Sequence, residues 1–140
     1  MEFSLISSCG GRRHNQLCGS GRFAQVSGFS FTWTASGTAM VIDGAGDVVT
    51  PGTRVLDVVL DDGTPIVTGG VVQVGDAITI ALVDFSANGG DQYLFRGAPF
   101  TTIGVTYQQA LSNYIVDGLG GLISAADYPE GGEGRITELP

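Results

Sequence analysis

The chain has 140 residues, enough for one domain with its own core, and 43% hydrophobic against 14% charged residues excludes a disordered chain. Its 14 acidic and 6 basic residues leave a formal net charge of −8, and every basic residue is arginine; a nucleic-acid backbone would demand a basic face instead. No run approaches the roughly 20 apolar residues of a membrane-spanning helix.

The opening stretch, MEFSLISSCGG, lacks the basic start of a secretory signal. Residues 1–18 read instead as the remnant of a preceding helix and loop, continuing from a longer chain, with the domain proper over 19–140. Cys9 and Cys18 enclose GGRRHNQL. Three states stay open for them: free thiols, a short-loop disulfide, or a metal site with His14 that would still need a fourth ligand and tighter spacing.

GSGRFAQVSG (19–28) is glycine-rich and leads into FSFTWT (29–34). The alternation there puts Phe29, Phe31 and Trp33 on one face of a half-buried strand. ASGT (35–38) turns the chain into a second short strand, AMVI (39–42), and DGAGD (43–47) and TPGT (50–53) are loop punctuation after it. RVLDVVL (54–60) is a strong strand signal, and DDGTP (61–65) a hairpin turn built on Asp-Gly. IVTGGVVQVGD (66–76) gives short extended pieces and turns. AITIALV (77–83) is nearly all apolar and predicts a central strand covered on both faces.

YLFRGAPFTTIG (93–104) has little periodicity and predicts a long loop. In TYQQALSNYIVDGL (106–119), Tyr107, Ala110, Leu111, Tyr114 and Ile115 fall at helical spacing, with Thr106 able to cap the start and Gly118 able to end it. LISAADYP (122–129) reads as a short irregular or helical piece, and RITEL (135–139) as a final edge strand. Together these predict an α+β domain, a mixed strand-rich sandwich with one or two helices.

Most catalytic templates are missing. One histidine cannot make an HExxH site, there is no GxSxG elbow, and without lysine there is no P-loop. GSGRFAQVSG runs from loop into strand, whereas a dinucleotide fingerprint runs from strand into helix. Asp61, Asp62, Glu130 and Glu133 read as solvated loop acids.

DFSANGGDQY (84–93) admits three readings: a turn, a calcium loop or a pocket wall. Asp84, Ser86, Asn88 and Gly89 fit positions 1, 3, 5 and 6 of an EF-hand loop, but position 12 falls on Phe95 where a bidentate Glu is required. Glycines let a planar ligand approach, a phenyl ring offers a stacking face, and a carboxylate accepts strong hydrogen bonds from sugar hydroxyls. An aromatic, an acid and two glycines together make a reasonable nucleoside site.

Several segments carry a family resemblance, in family order: GSGRFAQVSGFSFTW, RVLDVVLDDGTPI, AITIALVDFSANGGDQY, ALSNYI and EGRITEL. Over about residues 19–139 the chain resembles the C-terminal domain of the 5'-nucleotidase and UDP-sugar hydrolase family. The resemblance implies that Phe85 and Phe23 hold the substrate's base between them. It implies that Asp91 contacts the nucleoside sugar and that Asn88, Gly89 and Gly90 shape the loop. Hydrolysis of the phosphate ester would occur at a divalent metal pair, such as Zn, Mn or Mg, in a separate N-terminal metallophosphoesterase domain. That domain's ligand motifs are absent from these residues, so no catalytic residue, metal ligand or cofactor is expected in this chain. Arg12, Arg13 and Arg22 receive no substrate role.

The expected partners are a nucleotide or nucleotide sugar and that N-terminal domain; the expected location is periplasmic, secreted or cell-surface. A competing expectation is a stand-alone binding or assembly module with no nucleotide role. Phe23 and Phe85 separate the two. A nucleoside site needs both partly exposed and facing one cleft, whereas the module would bury them or set them apart.

Overall fold

The computed structural model describes residues 23–95 and 97–140. Among them, seven strands form two sheets, and two α-helices lie between the last two strands in sequence, a strand-rich α+β domain. The strands are β1 (Phe29–Thr34), β2 (Val41–Ile42), β3 (Val48–Thr50), β4 (Val55–Leu60), β5 (Pro65–Thr68), β6 (Val71–Val72) and β7 (Ile136–Leu139). The helices are α1 (Asp84–Ala87) and α2 (Tyr107–Asn113). The remnant expected over 1–18, with Cys9, His14 and Cys18, lies outside the described residues.

Five strands form one sheet in the order β6-β5-β4-β1-β7. One row of side chains runs across it. Val72 pairs with Val67, Val67 with Val58, Val58 with Phe31, and Phe31 with Ile136. Because residues in register share a face, this row is the core. Burial follows position: Val58, Val67 and Phe31 at the centre are buried, Ile136 at one edge is half-buried and Val72 at the other is exposed. Phe29 and Trp33 pack against the same cluster, so the face expected from FSFTWT is formed.

The turns follow from their residues. Between β4 and β5, Gly63 sits at φ 88, which glycine adopts without penalty. The Asp62 carboxylate accepts the Thr64 N–H at 2.9 Å and closes that turn. Between β2 and β3, Asp43 Oδ1 accepts both the Ala45 and Asp47 N–H groups at 2.9 Å. From β4, Asp57 accepts the Thr32 hydroxyl and the Gly69 N–H, each at 3.0 Å, and so ties β1 and the β5–β6 turn to β4. β7 lies parallel to β1 and returns after a long connection, as a parallel neighbour must. Arg135, just ahead of β7, donates to the Val26 carbonyl at 3.0 Å and pairs with Glu133.

α2 begins as expected, with the Thr106 hydroxyl accepting the Gln109 N–H at 3.1 Å. Its last turn widens into a π-helical turn, Tyr114–Gly118, which ends at the expected glycine. The Tyr114 and Tyr128 hydroxyls, 2.6 Å apart, join this turn to the irregular 122–129 segment.

One expectation is corrected. Residues 77–83 do not form a central strand; they are irregular and pair with no strand among the described residues. Ile78, Leu82 and Val83 are exposed, and only Ile80 is half-buried. Apolar residues without a two-residue period do not by themselves specify a strand, and the sheet's two edges are formed instead by β6 and β7.

Candidate functional site

DFSANGGDQY therefore starts from an extended, unpaired segment rather than from the end of a strand. Val83 is the last extended residue before α1, and the Asp84 carboxylate accepts the Phe85 N–H at 2.8 Å. The helix stops after one turn. Asn88 closes it, its backbone N–H and its side-chain Nδ2 both donating to the Asp84 carbonyl, at 2.9 and 2.8 Å. Gly89 then takes a left-handed conformation, φ 89 and ψ 10, which reverses the chain.

The next turn is a 3-10 turn, Gly90–Gln92, packed against α1. Gly90 is there for space. A Cβ at this position would lie 2.5 Å from the nearest atom of the Phe85 ring, so the ring rests directly on the glycine backbone. Asp91 and Gln92 follow with φ of 54 and 67. Two successive non-glycine residues in this region are unusual, each at a cost of order 1–3 kcal/mol, and such outliers gather at functional sites.

Phe85, so held, is 58% exposed. Asp91 and Asn88 are exposed as well. The structure thus brings five of the six expected residues, Phe85, Asn88, Gly89, Gly90 and Asp91, into one compact double turn. Phe23 sits elsewhere, on the core side of β1. Its ring lies edge-on to Trp33 at 5.6 Å and tilted to Phe31 at 6.2 Å, and it is half-buried. Both expected stacking rings are partly exposed, and they share no ring contact.

A groove opens beside the double turn, with a volume of about 460 Å³. Asn88 and Gly89 line it; Phe23, Phe85 and Asp91 do not. Most of its wall comes from residues outside the expected set: Ala87, Tyr93, Phe95 and Phe100. The Tyr93 and Phe95 rings stack within 17° of parallel, centroids 6.2 Å apart. Burial, and secondarily the Asp91 carboxylate, hold the Tyr93 hydroxyl above its ordinary pKa of 10.0. The signal was present in YLFRGAPF, where three aromatic residues crowd a loop broken by glycine and proline.

Among the described residues, no group of three or more His, Cys, Asp or Glu could hold a metal ion, and no helix is long and apolar enough to cross a membrane. No family model, curated protein or solved structure matches the chain.

Proposed function

We propose that this chain is the substrate-specificity domain of a metal-dependent 5'-nucleotidase or nucleotide-sugar hydrolase. The base stacks on Phe85, with Phe23 as the second ring, and the exposed Asp91 carboxylate accepts hydrogen bonds from the sugar hydroxyls. Phosphate hydrolysis belongs to a metal pair in a separate N-terminal domain of an exported parent protein, and the chain alone is inactive. The observation that carries this reading is Phe85 itself: a large ring left in solvent yet seated on Gly90 by the backbone of its own loop.

A second reading, an assembly module without a nucleotide role, draws on a different observation. Tyr107, Leu111, Val116, Leu122 and Ile123, on and after α2, are all exposed, which is more apolar surface than an isolated loop region needs.

Titration of the isotope-labelled chain with adenosine separates them. The nucleotide reading expects shifts at Phe23, Phe85 and residues 88–91. It also expects Phe85→Ala to weaken binding by about 1–3 kcal/mol, or roughly 5- to 150-fold. Unchanged affinity in that variant refutes the site. Concentration-dependent association without adenosine binding favours the module. Metal-dependent phosphate release from AMP by the chain alone would overturn the division of labour.

A further inference from the structure

Helix α2 is the element that the fold supports least. Tyr107, Leu111 and Tyr114 stand four and three residues apart, so they form one stripe running from α2 into the π-helical turn. They are 77%, 58% and 52% exposed, and α2 buries no residue at all. A helix of seven residues is marginal in water by itself, and packing of its apolar face is what normally holds such a helix. Among the described residues, α2 packs closely on no element except the turn that continues it. The stripe is nonetheless held in place at its far end, where the Tyr114 hydroxyl meets the Tyr128 hydroxyl at 2.6 Å.

Charge selects the occupant. The chain carries a net −8, so two copies repel each other unless they meet through uncharged surface. Residues 97–116 contain no charged side chain, and every one of them is described. On α2, Gln108, Ser112 and Asn113 each carry both a donor and an acceptor, so each can pair with its own copy. A surface that is apolar, neutral and self-complementary in hydrogen bonding suits a two-fold contact, in which the same patch meets itself.

We propose that α2 is the interface of a homodimer, with the α2 of a second copy lying antiparallel across it and crossing at Leu111. Tyr107 then meets the partner's Tyr114, and the two Asp117 carboxylates fall at opposite ends of the seam. This rests on the exposed surface behind the assembly reading and gives that surface one occupant. It holds whether or not the chain binds a nucleoside, because no residue of the Phe85 loop takes part. A seam this short makes a weak interface, so the dimer forms at micromolar to millimolar chain concentration.

The test is sedimentation equilibrium of the full chain up to millimolar concentration. The expected result is a reversible doubling of mass, with amide exchange over residues 107–113 slowing as concentration rises. Leu111→Glu sets two like charges together at the crossing and should weaken association by roughly tenfold or more. Glutamate is about as good a helix former as leucine, so the change reads the contact and not helix propensity. Leu111→Lys should weaken association as well, whereas an equimolar mixture of the two variants should associate again. Val49→Glu, an exposed position on β3, should leave association unchanged. The proposal is overturned if the chain stays monomeric, if Leu111→Glu associates like the unmutated chain, if Val49→Glu disrupts association equally, or if the mixture fails to restore it. Adenosine titration of Leu111→Glu separates these failures from that of the proposed function. Shifts at Phe85 and residues 88–91 in a chain that never associates would sink the dimer alone; a dimer through α2 with adenosine silent would sink the specificity-domain reading alone.

Discussion

Gly90→Ala is the sharpest perturbation of the Phe85 loop. The new methyl would stand 2.5 Å from Cε1 and 2.6 Å from both Cδ1 and Cζ of Phe85. Carbon atoms in comfortable contact keep about 3.5–4.0 Å. Gly90 itself is not in the left-handed region, so alanine is not strained by its backbone there, and the clash must be relieved by the ring. The ring is more than half in solvent and can swing away. A displaced rotamer costs about 0.5–1.5 kcal/mol, so folding stability should fall by about 1.5 kcal/mol or less. The stacking contribution, about 1–3 kcal/mol, should instead be lost almost entirely. Adenosine affinity is measured for the unmutated chain, Gly90→Ala, Phe85→Ala and the double variant, with urea unfolding alongside. Gly90→Ala should weaken binding as much as Phe85→Ala and add nothing in the Phe85→Ala background, because it acts only through that ring. Additive effects, full affinity in Gly90→Ala, or a stability loss of about 3 kcal/mol would each show that Gly90 does not act through the ring as described.

Val58→Ala should cost about 2 kcal/mol in urea unfolding, from two lost methyl equivalents and the cavity left in the middle of the five-strand row, where Val58 is only 2% exposed. Gly89→Ala should destabilise the chain by about 1–2 kcal/mol, with Gly89→Asn milder, since the left-handed conformation there tolerates asparagine better than alanine. Asp62 supplies the pH prediction. Hydrogen bonding to Thr64, backbone first, lowers its pKa from the ordinary 3.8. Its contribution to the β4–β5 turn is therefore complete above that value and disappears as pH falls through the lowered one. Asp62→Asn should remove this part of the acid dependence, read as the pH profile of the unfolding midpoint.

The main sheet was legible because its segments carry two independent signals each. FSFTWT alternates and RVLDVVL is rich in β-branched residues, and each is bounded by turn residues that then adopt the conformations expected of them. RITEL alternates too, and it forms the edge. AITIALV misled for the converse reason. Seven nearly uniform apolar residues have no period, so they state burial without stating a partner, and a strand exists only where another strand offers its free hydrogen-bonding edge. The two edges of the sheet are formed instead by Val71–Val72, through a tight hairpin, and Ile136–Leu139, through the long return.

The loop shows a finer limit. As a string, NGGD presents two like glycines; folded, they do different work. Gly89 is required by its φ of 89, a demand of the backbone alone, whereas Gly90 is required by what stands above it, a ring five positions earlier. Residue types can suggest the first requirement, because Asn-Gly sequences favour left-handed turns. They cannot state the second, which exists only once α1 has curled Phe85 back over the chain. Phe85 is thus fixed by its own loop while Phe23 is fixed by the sheet through Trp33 and Phe31. A base held between them would bridge two separately stabilised parts of the chain. Its binding should therefore draw the 84–93 loop toward the sheet, lowering amide exchange at residues 88–91 more than the stacking of a base on one ring alone would.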